Sequence, residues 1–501
     1  MKNLFKALFA LAMLYQQSIV FAQRPQPTFK GTVSVDGKRS SGIDTIEVIY
    51  LKPYSPYRTN YESISVTTDT AGNFCFKLPY YIEPGTMGFW MMSKGRAITE
   101  MARKRYFFEN TDVIEIDIRK TASTYTINFA GKGAEKYTIV NKLAKLGSPA
   151  EIDTEFRDGA KKLQLGKKDS LETKLHQLEE LTRQLVRKKE VIINNSRLSE
   201  RMKKMITYEY APIYSDWKLR MEGLYMRAYR KDPGSRLLIK KNFSSNKEKF
   251  KNEYNSDLAL CPNHLNFLAL EEARDLLINS PTDSISFKEL YNLLTNKYSG
   301  LIRERLIANL FLGFSGYIPE MKLDNQVIET LMEDGKKYIT IPFVKRIYTS
   351  QQKLAIGKRV YNASFKDLKG NSISLSSLKN KVVFIDVWFT GCGACAKFHQ
   401  GFHQVFYPLL KGNDNFVYLS ISADSSIDKW KQGIGKVIYT SMDYLNVRAE
   451  NGFNHPFLKH YELSGAPFLL LLNRKGQIYA NIINGAKDAY ELIQEALKAD
   501  L

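Results

Sequence analysis

A chain of 501 residues is longer than one hydrophobic core organises, and its 44% apolar and 12% aromatic content argues against disorder, so two or three folded domains are expected. Lysine and arginine number 73 against 52 aspartate and glutamate, a formal charge of +21, yet the excess is spread along the chain with no dense basic block. Solvated helix faces account for it, and no nucleic-acid partner is expected.

The N-terminus reads Met1-Lys2-Asn3-Leu4-Phe5-Lys6, runs apolar from Ala7 to Tyr15 and reaches Val20-Phe21-Ala22, the pattern of a cleaved export signal over residues 1–22. Gln16 and Gln17 interrupt a run already short for a membrane span, so no integral span is expected after cleavage; an uncleaved anchor or a buried helix are the competing readings. No cysteine follows the run to carry a lipid anchor.

From 28 to 133 short runs alternate apolar and polar, as in Thr45-Ile46-Glu47-Val48-Ile49-Tyr50 and Val113-Ile114-Glu115-Ile116-Asp117-Ile118. This predicts an antiparallel β-sandwich, with hairpin turns at Asp36-Gly37 and Ala71-Gly72-Asn73. Between 134 and 354 the period becomes helical: Leu171, Leu175, Leu178, Leu181 and Leu185 form one apolar stripe, and Ser286-Phe287-Lys288-Glu289 reads as a capping box. Only about two heptads of that stripe are clean, so packing inside the monomer is expected rather than a coiled coil.

From 355 to 501 strands and helices alternate, predicting a mixed sheet flanked by helices. The buried-type strand Val382 to Trp388 leads into a helix from Gly393 towards Leu410; a strand at Phe416 to Ser422 and a helix near Ile427 to Gly435 follow. Strands at Phe468 to Leu472 and Ile478 to Ile483 then meet across a turn before a final helix, Asp488 to Leu497.

Four cysteines are too few to staple an exported chain of this length. Cys75 lies between two phenylalanines and Cys261 between Leu260 and Pro262, so both read as small apolar fillers. Cys392-Gly393-Ala394-Cys395 differs, because it joins the end of a strand to the start of a helix. The helix dipole and free N–H groups there favour the thiolate, the form that attacks a disulfide, and the second sulfur can close the ring. A zinc site would need two further ligands; His399 and His403 share the following helix and read as surface or packing residues, so no metal and no cofactor is expected.

The stretches Phe365 to Leu378 and Lys381 to Cys395 resemble the thioredoxin-like thiol-disulfide oxidoreductases of the TlpA type, which group with the thiol-specific antioxidant families. The resemblance covers about 145 residues, through Trp388-Phe389-Thr390-Gly391-Cys392-Gly393-Ala394-Cys395 and Ser464-Gly465-Ala466-Pro467-Phe468. It implies that Pro467 is a cis-proline beside the sulfurs, and that Ala466 and Trp388 help to bind an extended substrate. It also implies that Asp386, within an otherwise apolar strand, is the buried carboxylate that moves a proton for Cys395, although a purely structural acid remains open. Gly391 stands where the family favours a bulky aromatic and Ala394 where it favours proline, which leaves surface recognition and redox potential open. No Pro-x-x-x-Thr-x-x-Cys array supports a peroxidase.

The segments Asp69-Thr70-Ala71-Gly72-Asn73-Phe74 and Phe129-Ala130-Gly131-Lys132-Gly133 resemble the domain of unknown function that precedes such modules in exported proteins of Bacteroidetes-like bacteria. The resulting expectation is a periplasmic protein-disulfide reductase acting on disulfide-bearing envelope proteins and recharged by a membrane thiol electron donor. The alternatives are an envelope binding protein using this fold as scaffold and, more weakly, a thiol peroxidase-like antioxidant.

Overall fold

The computed structural model describes residues 25–39, 45–55, 62–93, 96–98, 105–121, 125–146, 168–229, 231–245, 256–280, 284–314, 321–322, 324–463, 465–481, 483 and 485–499. The expected export signal, 1–22, lies outside them. Among the described residues, no helix is long and apolar enough to cross a membrane. The chain divides into two compact units, one holding 1–55 and 61–274 and the other 275–501 together with 56–60, so the helical stretch is shared between them.

The first unit contains two five-stranded sheets. One comprises β1 (Thr28–Val35), β2 (Lys38–Arg39), β5 (Asn73–Lys77), β9 (Val113–Lys120) and β10 (Tyr125–Lys132); the other comprises β3 (Thr45–Leu51), β4 (Glu62–Thr67), β6 (Gly85–Ser93), β7 (Arg96–Ile98) and β8 (Tyr106–Phe108). Alternation dictates the packing: Phe29, Val33, Ile114, Ile116 and Ile118 of the first sheet meet Ile46, Val48 and Phe107 of the second in one core. Every pairing is antiparallel except β1 with β9, which runs parallel over the full length of β1. That pair departs from the antiparallel expectation because its strands are joined by a long excursion through the second sheet rather than by a hairpin.

The Asp36-Gly37 turn is a two-residue hairpin with both residues at positive φ, 48° and 78°. Gly72 also has positive φ, 75°, but its turn carries the chain from β4 in one sheet to β5 in the other, so it is a corner and not a hairpin. Cys75 on β5 is exposed, because its neighbours Phe74 and Phe76 take the inward positions and the period of two turns it outward; it is not the core filler that the sequence suggests. Cys261 is buried as expected.

Where β10 enters the helix Ala134–Ala144, buried Asp112 accepts from Lys136 Nζ at 2.5 Å, Tyr137 OH at 2.7 Å and the Glu109 N–H at 2.9 Å. Gly133 at φ 88° leaves the room this needs, since a Cβ there would collide with the carboxylate. The stripe on the helix Lys168–Asn194 packs within the chain, with Leu171, Leu175 and Leu178 against Trp217, Met221 and Tyr225 of the helix Pro212–Ala228.

The second unit opens with helices, among them Phe287–Lys297, started by the Ser286/Glu289 capping box, and with a short parallel pair, β11 (Ile285–Ser286) and β12 (Met321–Lys322). Its sheet has the order β14 (Ser372–Ser374), β13 (Ser364–Asp367), β17 (Leu445–Arg448), β16 (Phe416–Ser422), β15 (Val382–Trp388), β18 (Phe468–Leu472), β19 (Ile478–Ala480). β15 is central, parallel to β16 and antiparallel to β18, giving the expected mixed sheet. The two sides of β15 feed different cores: Val383, Ile385 and Val387 enter one, while Val382 and Phe384 meet Phe398 and Phe402 of the helix Gly393–Val405 in the other. That helix ends five residues before the expected Leu410, passing into a short 3-10 turn at Tyr407–Leu409. β17 escapes the sequence reading because it is only four residues long, with polar Asn446 at its centre.

Candidate active site

β15 ends in the core at Trp388 and the chain turns outward through Phe389, Thr390 and Gly391. Two side chains hold that turn. Asp424 accepts from the Thr390 hydroxyl at 2.8 Å and from its N–H at 3.2 Å, and the Tyr439 hydroxyl accepts the Gly391 N–H at 2.9 Å. Gly391 sits at φ 99°, which accounts for glycine where the family resemblance suggests an aromatic.

Cys392 then caps the helix Gly393–Val405: its Sγ receives the Cys395 N–H at 3.1 Å. The two cysteines are bonded to each other, with Cα atoms 5.3 Å apart. Both are buried, but Gly391, Gly393 and Ala394 around them are exposed and small, so approach to Cys392 is open. Opposite lies the Ala466-Pro467 cis peptide, with the Ala466 carbonyl oxygen 3.5 Å from Cys392 Sγ and Pro467 exposed.

Asp386 occupies the same side of β15 as Phe384 and Trp388, the side that faces the cysteine-bearing helix. It is buried, its Oδ2 accepts from Tyr418 OH at 2.8 Å, and its Oδ1 has no hydrogen-bond partner among the described residues. Burial pushes its carboxyl up to about 7, opposed by the Tyr418 hydrogen bond, which favours the charged form. A buried carboxyl raised towards neutrality has the protonation behaviour that general acid–base work requires.

Trp388 requires a correction. It is fully buried, its indole N–H donates to Ser420 Oγ at 2.7 Å, and its ring lies flat against Tyr439 at 5.4 Å. It packs in one cluster with Cys392 and Cys395 and offers no exposed surface to an extended chain. The local motif could not reveal this, because the residues that cover it are 32 and more positions away. Tyr439, Asp424 and Tyr418 likewise escape the sequence reading, since the fold alone brings them to Gly391, Thr390 and Asp386.

His399 is buried and stacks on His403, whose Nδ1 meets Tyr444 OH at 2.9 Å; burial pulls His399 down to about 4, which fits the packing reading. Among the described residues no three His, Cys, Asp or Glu side chains gather as a metal site.

Residues 380–478 match a family model described as thioredoxin-like. The chain is 26% identical over 131 residues to the thiol-disulfide oxidoreductase ResA of Bacillus thuringiensis subsp. konkukian, covering 26% of this chain and 59% of that protein. It is 36% identical over 64 residues to ResA of another Bacillus thuringiensis strain, covering 13% and 36% respectively. The chain thus spans less than two thirds of the curated relatives it matches. Among solved structures, the thioredoxin domain of a thiol-disulfide oxidoreductase from Bacteroides vulgatus aligns at 27% identity and TM-score 0.25, over 28% of this chain and 96% of that one. A thiol:disulfide interchange protein from Bacteroides sp. aligns at 27% identity and TM-score 0.26, over 28% and 90%. The C-terminal region of this chain is a thioredoxin-like domain that carries the Cys392–Cys395 pair and is similar to thiol-disulfide oxidoreductases; a further β and helical region precedes it.

Proposed function

We propose that the chain is an exported protein-disulfide reductase of a Gram-negative envelope. The observation that carries the reading is the Cys392–Cys395 pair at a helix start, with Ala466 O 3.5 Å from Cys392 Sγ and open small residues around it. The export pattern over 1–22 supports the periplasm as its location.

In the reduced protein the Cys392 thiolate attacks a substrate disulfide; a Cys392–substrate S–S bond forms, the substrate bond breaks, and the released substrate thiolate takes a proton. Asp386 accepts the Cys395 proton, Cys395 attacks Cys392, and the second substrate sulfur leaves as a thiol. Two electrons pass to the substrate and the protein holds them no longer, so a membrane-bound dithiol donor restores the pair. The Ala466 backbone, beside the sulfurs, pairs with an extended substrate chain.

The test is a redox titration of Cys392 and Cys395 in the full mature chain, with insulin-disulfide reduction as readout. A potential near roughly −270 mV with activity supports the reductase; one near about −120 mV makes the protein an oxidant instead. Absence of any exchange defeats the enzymatic reading altogether.

A further inference from the structure

The wall beside the disulfide is built by one continuous segment, Ile427 to Met442. Its helical part buries Trp430 and Ile434 against Trp388, Cys392 and Cys395. Gly433 presses onto the indole so closely that a Cβ there would lie 2.8 Å from it. The segment touches the cysteine turn twice: Thr390 Oγ1 lies 3.4 Å from Lys429 O, and Tyr439 OH receives the Gly391 N–H. It is thereby tied to the turn that leads into Cys392.

Its outer face is unusual for a surface this close to a reactive pair. Val437, Ile438 and Met442 are 49%, 42% and 66% exposed. Val437 has φ 51°, a conformation that a β-branched residue rarely takes, at the point where the helix gives way to this exposed run. Tyr439 turns inward directly after exposed Val437 and Ile438, so the same short run grips the cysteine turn and presents apolar side chains outward. Around them the segment carries Lys429, Lys431 and Lys436, all exposed, against one acid, Asp428. Three exposed apolar side chains joined to the site where a partner's disulfide must arrive mark a contact surface, and the lysines give it a sign.

We propose that this wall is the substrate-docking surface of the site, and that it selects protein disulfides flanked by apolar and acidic residues. The proposal rests on the disulfide-reductase reading and adds the substrate class. Apolar flanks cover Val437, Ile438 and Met442, acidic flanks meet the lysines, and the substrate chain then reaches Cys392 across the exposed Gly391.

The experiment uses the reduced full chain and three oxidants: 2-hydroxyethyl disulfide, a peptide disulfide flanked by leucine, phenylalanine and glutamate, and one flanked by serine and lysine. Second-order exchange rates are measured by thiol release. The wild type is expected to favour the apolar, acidic peptide over the serine-lysine peptide by about tenfold or more. Combined Val437→Ser, Ile438→Ser and Met442→Ser should remove most of that preference, and Lys431→Glu with Lys436→Glu should reverse its charge dependence. Equal wild-type rates for the two peptides, or a preference that survives the triple substitution, would overturn the proposal. So would a triple variant that slows 2-hydroxyethyl disulfide as much as the peptides, since the segment would then act through the site's fold. A wild type inert towards 2-hydroxyethyl disulfide defeats the reductase reading itself, and the docking surface with it.

Discussion

Two buried aspartates, one in each compact unit, are built to opposite specifications. Asp112 accepts three hydrogen bonds, from Lys136, Tyr137 and the backbone of Glu109, and its partner lysine is itself buried. Among the described residues, Asp386 has one donor, Tyr418, one oxygen without a hydrogen-bond partner, and no cation that shifts its carboxyl. The first arrangement surrounds the carboxyl with a buried lysine and two further donors that favour its charged form, against burial, which still holds it above the usual carboxylate range. The second leaves a carboxyl able to change its protonation state without dismantling a network. Burial alone does not single out an acid for proton transfer; incomplete satisfaction, as at Asp386, is what supports its proposed role.

The largest expected effect comes from Cys392→Ser, which should lower insulin-disulfide reduction by about a thousandfold or more, while exposed Cys75→Ser in the other unit should leave the rate within about twofold. A comparable loss from Cys75→Ser would break the division between a reactive unit and an unreactive one.

Next comes the same substitution at the two acids. Asp386 is raised to about 7 when folded against about 3.9 unfolded, so the folded chain holds the extra proton between those values and stability falls as pH rises across them. The cost is complete above about pH 7, where Asp386→Asn should stabilise by on the order of 3–4 kcal/mol, and it should vanish below about pH 4. The variant should also flatten the pH profile of exchange near neutrality. Asp112→Asn should act in the opposite direction, destabilising by about 3 kcal/mol because Lys136 stays buried with its pairing weakened. Hydrogen exchange in β1 and β15 reads the two units separately, and like signs at both sites would end the contrast.

The smallest effect sharpens it. Tyr418→Phe removes the hydrogen bond that favours charged Asp386, so the inflection of the exchange pH profile should move up by about one unit. An unmoved inflection would mean that another group sets it.

The sequence displays what is local. Cys392 and Cys395 at a strand-to-helix junction, Asp386 amid apolar neighbours, and Pro467 before a strand are each visible within a dozen residues, and the structure gathers all three elements. The partners of these groups were invisible because register decides them: Tyr418 reaches Asp386 only because β16 lies parallel to β15, and Tyr439 reaches Gly391 across 48 residues. Trp388 was misread for the same reason. An aromatic next to a cysteine motif looks available until Ser420, Tyr439 and Gly433 close over it. In the first unit, alternation predicted strands and cores but not the parallel β1–β9 pair, nor which way Cys75 faces.

That parallel pair also sets an order of events. β1 is flanked on one edge by β2 and β5 and on the other by β9, whose residues 113–120 follow those of β1 by about 85 positions. A chain growing from its N-terminus can close the β1–β2 hairpin at once, but one whole edge of β1 stays open until the second sheet and β9 have been made. Loop-closure entropy and high contact order make this the slow step of the unit. β1 thus waits for β9 before both of its edges are paired, and during that interval its open edge is a template for a stray strand.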